Sequence, residues 1–277
     1  MQGSVPARWL PPTGTLGQLT RAAQLRAIAV AGTLPELRAR ASDRGKALPF
    51  ALSLRGDTVR LITEIKRASP SKGHIAPGLD SVKQAALYAA GGAAAISVLT
   101  EPEKFGGSLF DLQTVSDAVT IPTLRKDFIV HPVQLWEARV HGAAAALLIV
   151  RSLSPSLLSA LMDTASEAGI ETLVEVRNEI ELERALDAGA RVVGVNNRNL
   201  ETLEIDSSVA PRIIAYIPSH VIAVAESGMS VVGDLDAPSR AGADAALIGS
   251  SISASPDPEA AVRALASVPR IPRPQTH

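Results

Sequence analysis

The chain has 277 residues, of which 46% are hydrophobic and only 3% aromatic, so its core must be built from Ala, Val, Leu and Ile. Its 27 Lys and Arg residues nearly balance 28 Asp and Glu residues, which excludes a general attraction to nucleic acid or to an anionic membrane. Cysteine is absent, which excludes disulfides, thiolate metal sites and a cysteine nucleophile. The histidines show no metal-binding spacing, so a histidine metal site is not expected. With no signal-peptide pattern at the start, we expect a soluble cytoplasmic protein.

The first 50 residues are predicted to form a helical extension. The Arg-rich stretch LGQLTRAAQLRAIAVAGTLPELRARASDRG has helical periodicity, so we expect residues 1–50 to pack on the following domain. The Pro-rich ends MQGSVPARWLPPTG and SVPRIPRPQTH are expected to fray, with residues 271–277 forming a flexible tail.

Eight short apolar runs recur between residues 61 and 250, and each is typical of a buried parallel strand. They are LITEIK, AAISVLT, TLRKDF, AALLIV, TLVEV, VVGVNN, VIAVAES and AALIGS. Helical segments separate them, and small AGA or GGAA pieces indicate helix C-caps that lead into the next strand. Eight βα units favour an α/β fold, a (β/α)8 TIM barrel over residues 51–270. An open doubly wound sheet is the alternative, but no GxGxxG follows the first strand.

Charged side chains cluster where the predicted odd-numbered strands end, whereas strands two and four offer less. They are Glu64, Lys66, Lys126, Glu175 and Glu226. Any one of them alone is more often a solvated residue at the start of a loop. Because alternate strands of a barrel contribute to one interior layer, the five together favour converging acid and base groups. Side-chain alternation places Glu64 and Lys66 on one face, and Arg67 on the outer side, where it would support a loop.

The segments AESG and LIGSS, which follow the last two predicted strands, are typical of a phosphate cradle. Backbone N–H groups near Gly228, Gly249 and Ser250 would face the anion, and Ser69 of the SPS turn would add a hydroxyl. The simpler interpretation is that both glycines only make tight βα turns. Their place after the two strands that usually build such a site favours phosphate, without indicating a reaction.

Seven motifs, in order and at similar spacing, resemble the indole-3-glycerol phosphate synthase family of tryptophan biosynthesis over nearly the whole chain. They are EIKRASPSKG, SVLTEPEKFGGS, LRKDFIV, LVEV, GVNNRNL, AESG and IGSS. The resemblance implies a carboxy-lyase that closes and decarboxylates 1-(2-carboxyphenylamino)-1-deoxyribulose 5-phosphate, giving indole-3-glycerol phosphate, CO₂ and water. It implies no metal and no organic cofactor.

The resemblance also implies a role for each matching residue. Lys126 would be the general acid of ring closure, with Glu175 as a partner that steers or deprotonates. Lys66 would meet the substrate carboxylate and take part in the dehydration, with Glu64 beside it. The remaining implied contacts are Asn196, Glu226, Arg198 and Ser227 for the hydroxyls and the lysine network; Ser69, Gly228, Gly249 and Ser250 for the phosphate; and Phe105, Phe128 and Leu200 for the aromatic ring.

Two positions depart from the family pattern. His131 and Val133 stand where the family often has Asp and Tyr, and we expect both to begin the helix after the third strand and to face outward. The N-terminal segment matches weakly.

Two other functions compete with this one. The related phosphoribosylanthranilate isomerase usually needs a cysteine, which this chain lacks. A missing charge in the cluster at the strand ends would favour a barrel that binds phosphate ligands or partner enzymes without turnover, but all five charged residues of that cluster are present. The expected partner is a small phosphorylated substrate, with no nucleic acid and no membrane. A monomer or a weak homo-oligomer is expected, open to association with other enzymes of the tryptophan pathway.

Overall fold

Eight parallel strands close into a barrel in the computed structural model, which describes residues 9–71, 73–76 and 78–274. The strands are β1 (Arg60–Ile65), β2 (Ala95–Leu99), β3 (Thr123–Lys126), β4 (Ala145–Ile149), β5 (Glu171–Val176), β6 (Val192–Asn196), β7 (Ile222–Glu226) and β8 (Ala245–Ile248). Each strand pairs with its neighbours in sequence, and β8 closes the barrel on β1. The predicted (β/α)8 TIM barrel is therefore confirmed, and the open sheet is excluded.

Helices alternate with the strands and cover the barrel. They are α1 (Gly14–Val30), α2 (Leu34–Ser42), α3 (Phe50–Ser53), α4 (Ser81–Ala90), α5 (Leu109–Ala118), α6 (Pro132–Val140), α7 (Pro155–Glu167), α8 (Glu179–Asp187), α9 (Val209–Ile214), α10 (Asp236–Arg240), α11 (Ser250–Ser253) and α12 (Pro258–Leu265). Short 3-10 turns lie at Ala31–Thr33, Val150–Ser152 and Val232–Leu235, and Ala68–Ser69 pairs antiparallel with Gly73–His74. In the described residues, five helices are followed by a glycine of positive φ just before a strand, four of them as predicted (Gly92, Gly142, Gly189 and Gly242) and the fifth at Gly169.

The apolar side chains form two layers, because each strand is buried on both faces. One layer lies between the strands and the surrounding helices. The other fills the barrel interior, where Leu124, Leu173 and Val224 meet. Leu16 and Leu19 of α1 belong to this interior cluster. Helix α1 therefore packs on the barrel and lines its open end.

His131 and Val133 lie at the start of α6, and Arg273 lies in the C-terminal segment. His131 caps the N-terminus of α6, accepting the N–H of Val133 at 3.2 Å, as expected for a helix-start residue. The outward position predicted for Val133 is wrong, because its side chain is fully buried against the strands. Arg273, in the predicted flexible tail, is buried and donates hydrogen bonds to Val221 O at 2.6 Å and to Asp244 Oδ2 at 2.8 Å. The fraying expected at residues 1–8 and 275–277 concerns positions outside the described part.

Candidate active site

Five charged side chains meet at the C-terminal mouth of the barrel. Lys126 and Glu226 are the last residues of β3 and β7, and Glu64 and Glu175 are the last but one of β1 and β5. Lys66 follows β1 on the same face as Glu64. The three carboxylates are buried, with residue exposures of 2%, 4% and 1% for Glu64, Glu175 and Glu226. The convergence predicted from strand parity is present.

Glu64 is the centre of this cluster, because both lysines pair with it. Lys66 Nζ lies 2.5 Å from Glu64 Oε1, and Lys126 Nζ lies 3.5 Å from Glu64 Oε2. Burial disfavours the ionised carboxylate, but the two ammonium groups outweigh burial and lower the pKa of Glu64. Glu64 is therefore ionised at neutral pH and holds both amines at one point of the cavity.

Lys126 is surrounded by negative groups. Burial favours its neutral form, but Glu64, Glu226 and Glu175 together outweigh burial and raise the pKa of Lys126 above the ordinary lysine value. Its side chain is still 18% exposed to the cavity. Lys126 is thus a charged proton donor that faces the space a ligand would fill.

Glu175 and Glu226 are a neighbouring pair of carboxyl groups, and both have raised pKa values. Burial raises the pKa of Glu226 well above its usual range, and the neighbouring Glu175 carboxylate raises it further. Burial also raises the pKa of Glu175, although Lys126 and a hydrogen bond from Asn196 oppose the rise. Because two adjacent buried carboxylates cannot both ionise cheaply, the pair keeps a proton to a higher pH than an ordinary glutamate does.

A glycine in β6 makes room for the Glu226 carboxylate. A Cβ atom at Gly194 would lie 1.9 Å from Glu226 Oε1, which no side chain could occupy. Gly249 has the same relation to Glu64, since a Cβ there would lie 2.5 Å from Glu64 Oε1 and 3.0 Å from Glu64 Cβ. Gly249 was predicted for the phosphate cradle alone, so its contact with Glu64 is a second reason for glycine at this position.

Two adjoining cavities contain all the predicted site residues. The first encloses about 760 Å³, open to solvent, and the second about 1090 Å³. The predicted residues in the first cavity are Glu64, Lys66, Ser69, Phe105, Lys126, Phe128, Glu175, Asn196, Arg198, Leu200, Ser227 and Ser250. The second cavity adds Glu226, Gly228 and Gly249, and shares both lysines, Arg198 and the two serines 227 and 250 with the first.

The turns after β7 and β8 line the second cavity. Ser227 and Gly228 both have positive φ, at 66° and 79°, so the chain turns sharply after β7. Gly249 and Ser250 follow β8 on the other side of the cavity. Ser69 lies in the first cavity, which meets the second at Ser250.

The first cavity has an apolar wall opposite the charges. The rings of Phe105 and Phe128 have centroids 6.2 Å apart and are tilted by 42°. Leu200 and Leu19 of α1 complete this wall. A planar apolar group could therefore lie against the wall while its polar substituents face Lys66 and Lys126.

Arg67 lies on the opposite side of its segment, as predicted. It donates to Asp111 of α5 at 2.8 and 2.7 Å and so anchors the loop after β1.

Sequence interpretation missed Glu101, which follows β2 and is completely buried. It also missed Thr15 and Leu19 of α1, which line the first cavity. A glutamate directly after a predicted strand was the available signal for Glu101, but the second strand lies outside the odd-numbered set on which the site was predicted.

In the part of the chain that the structure describes, no three His, Asp or Glu side chains are placed to hold a metal ion. No helix among the same residues is long and apolar enough to cross a bilayer.

The fold and the site define a (β/α)8-barrel protein in which paired lysines and buried carboxylates share one mouth with the turns after β7 and β8. The family model described as indole-3-glycerol phosphate synthase matches residues 19–265. The chain belongs to the indole-3-glycerol phosphate synthase family, and the predicted resemblance is confirmed.

Curated relatives agree with this assignment. Indole-3-glycerol phosphate synthase 1 of Streptomyces coelicolor is 52% identical over 230 residues, covering 83% of this chain and 86% of the relative. Indole-3-glycerol phosphate synthase of Mycolicibacterium gilvum is 46% identical over 245 residues, covering 87% and 90%.

Solved structures support the fold alone. KGPDC from Streptococcus mutans aligns with a TM-score of 0.58 at 12% identity, over 75% of this chain and 95% of that one. Thiamine phosphate pyrophosphorylase from Pyrococcus furiosus aligns with a TM-score of 0.57 at 14% identity, over 76% and 95%.

Proposed function

We propose that this protein is a carboxy-lyase that converts 1-(2-carboxyphenylamino)-1-deoxyribulose 5-phosphate to indole-3-glycerol phosphate, with release of CO₂ and water. The family assignment supports this reaction. The observation that carries it is the pairing of Lys66 and Lys126 with the single buried carboxylate of Glu64, at 2.5 and 3.5 Å. That pairing places two ammonium groups between an aromatic wall and an anion cradle.

The two ends of the substrate fit the two cavities. Its aryl ring would lie against Phe105, Phe128 and Leu200, and its phosphate would enter the cradle of Gly228, Gly249 and Ser250. Ser69, which lines the first cavity, would add its hydroxyl. The benzoate carboxylate would then face Lys66. Because the chain joining ring and phosphate must cross the charged cluster, the reacting ketone would lie beside Lys126. Arg198, Ser227 and Asn196 would face its hydroxyl groups.

Ring closure needs an acid at the ketone oxygen. The aryl carbon that bears the carboxylate attacks the ketone carbon, a C–C bond forms, and the C=O electron pair moves to oxygen. Lys126 would give its proton to this oxygen. The raised pKa of Lys126 does not prevent transfer, since a developing alkoxide is a far stronger base than an amine. The negative charge of Glu64 holds the Lys126 ammonium in place before the reaction, so the site needs little reorganisation.

Loss of CO₂ then restores the aromatic ring, because the electron pair of the breaking C–C bond returns to it. Dehydration follows: the hydroxyl leaves as water after protonation, and a proton is removed from the ring carbon attached to nitrogen, leaving the indole double bond. Lys66 would donate in this step and Glu175 would take the proton. The raised pKa values of Glu175 and Glu226 suit this pair to exchange a proton during turnover.

The setting of the enzyme is part of the same proposal. We infer a cytoplasmic enzyme that acts as a monomer or a weak homo-oligomer and is open to association with other enzymes of tryptophan biosynthesis. Support comes from the biosynthetic family assignment and from a sequence without cysteine, which suits a reducing compartment.

Incubation of the purified protein with the carboxyphenylamino-deoxyribulose phosphate tests the reaction. Indole fluorescence should rise as substrate is consumed, with one CO₂ released for each indole formed. A protein that binds the compound and produces neither would instead be a phosphate-binding barrel without turnover.

A further inference from the structure

The carboxylate of Glu101 organises the loop that carries Phe105. Glu101 follows β2 and is 0% exposed. Its Oε1 accepts the backbone N–H of Glu103 at 3.2 Å, and its Oε2 accepts those of Lys104 at 2.7 Å and Phe105 at 3.1 Å. The Glu101 carbonyl accepts the N–H of Gly107 at 2.9 Å. The loop therefore folds around one buried residue.

Arg26 of α1 joins this carboxylate to a second one. Its guanidinium lies 3.6 Å from Glu101 Oε1 and 3.3 Å from Asp127 Oδ1. Asp127 is buried, and its carboxylate accepts hydrogen bonds from the Thr100 hydroxyl at 2.8 Å and the Phe128 N–H at 2.8 Å. One continuous polar network thus runs from the N-terminal extension to the ends of β2 and β3.

Both phenylalanines of the apolar wall are attached to this network through their own backbone N–H groups. Phe105 is held by Glu101 and Phe128 by Asp127. Their rings have centroids 6.2 Å apart, so a shift of either loop would change the width of the space beside them. Lys126 immediately precedes Asp127 and is subject to the same constraint.

A buried carboxylate costs free energy unless it is paired and hydrogen-bonded. Glu101 does not line the cavity, so contact with ligand gives no reason for a charge there. Its three backbone donors and Arg26 compensate its burial, and those groups belong to the Phe105 loop and to α1. The Glu101 carboxylate therefore fixes the conformation of the loop that carries Phe105.

We propose that Glu101, with Arg26 and Asp127, positions the two phenylalanines that receive the aryl ring of the substrate. These residues set the selectivity of the ring subsite, and Glu101 and Arg26 do so without lining the first cavity. The inference rests on the proposed function for the identity of that ring. It predicts that damage to the network weakens aryl recognition and leaves phosphate recognition intact.

The test compares Glu101→Gln with Glu103→Gln, an identical change at an exposed carboxylate of the same loop. A glutamine amide would set a donor against either the backbone N–H groups or Arg26. We expect the inhibition constant of 2-aminobenzoate, a probe of the ring subsite, to rise about tenfold in Glu101→Gln, as for one lost charged hydrogen bond. Inhibition by inorganic phosphate should change less than about twofold. Glu103→Gln should alter neither.

A double-mutant cycle adds a readout that general loosening would not reproduce. Once Phe105→Ala has removed the ring, Glu101→Gln should add little further loss of 2-aminobenzoate binding. Unchanged 2-aminobenzoate inhibition in Glu101→Gln, equal losses for both probes, or additive losses would each overturn the proposal.

Arg26→Met provides the same test at a more exposed position, should Glu101→Gln fail to fold. We expect a smaller rise for 2-aminobenzoate and no change for phosphate, and an unchanged 2-aminobenzoate value would overturn the proposal. If the wild-type protein proves inactive on the carboxyphenylamino-deoxyribulose phosphate, the proposed function fails. Direct binding of both probes, measured by calorimetry, would then still decide the role of Glu101.

Discussion

Substituting Gly249 by Ala should damage catalysis more than phosphate binding. The new Cβ would lie 2.5 Å from Glu64 Oε1, 3.0 Å from Glu64 Cβ and 3.2 Å from Glu64 Cδ. Ordinary contacts begin near 3.4 Å, so the carboxylate must move by about 1 Å. Glu64 cannot simply swing aside, because it is buried and paired with Lys66 and Lys126.

A displacement of about 1 Å at a catalytic group can lower the reaction rate about 10²-fold. We therefore expect kcat of Gly249→Ala to fall by about 10² with a smaller change in KM, measured as initial rates of indole fluorescence. Gly233→Ala is the matched control, since a Cβ there meets nothing within 4 Å, and it should keep wild-type kinetics.

Adding Glu64→Asp to Gly249→Ala withdraws the carboxylate by one methylene and relieves the clash. The double variant should lose less activity than the two single losses combined predict. A Gly249→Ala enzyme with normal kcat and a raised KM would refute this reasoning and leave the glycine with a role in phosphate binding alone. Additive losses in the double variant would do the same.

Three further predictions concern the cradle, the carboxylate pair and the C-terminal segment. Ser250→Asp should raise KM through repulsion of the phosphate dianion while kcat changes little, and an unchanged KM would place the phosphate elsewhere. Glu226→Gln should raise Tm more at pH 8 than at pH 5. Because the pKa of Glu226 is raised, the folded wild-type protein binds this proton more tightly than the unfolded chain does, and its stability falls as pH rises above the ordinary pKa of glutamate. A Tm gain independent of pH would contradict this. Arg273→Ala should lower the free energy of unfolding in urea by about 2 kcal/mol, because Asp244 loses one charged hydrogen bond and keeps its pair with Arg270, and a loss below about 0.5 kcal/mol would contradict the anchoring role.

Local pattern was sufficient for the strands and for the charged mouth of the barrel. Each strand is an almost unbroken apolar run, because both of its faces are buried, and that run is visible in the sequence. Alternate strands of a barrel contribute to one interior layer, and this rule alone predicts from the sequence that Glu64, Lys126, Glu175 and Glu226 lie together.

Contacts made across the fold were beyond the reach of local pattern. Gly249 meets Glu64 only because β8 closes on β1, so its motif pointed to phosphate alone. Glu101 acts on loop N–H groups that fold back onto it, and backbone hydrogen bonds of this kind leave no periodic signal. Arg273 lies in a Pro-rich segment that resembles a loose end, yet its partner Asp244 belongs to the barrel. Val133 opens a helix whose orientation depends on packing against the strands.

Single-turnover fluorescence of Lys126→Ala, compared with Lys83→Ala, tests whether Lys126 is the acid that closes the ring. Lys83 is an exposed lysine on α4, so its loss controls for a general change in charge. We expect Lys126→Ala to keep its fold and to form indole about 10² to 10⁴ times more slowly, as for a lost general acid, while Lys83→Ala matches the wild type. Equal rates for the two variants would contradict the assignment of Lys126 as the acid that closes the ring.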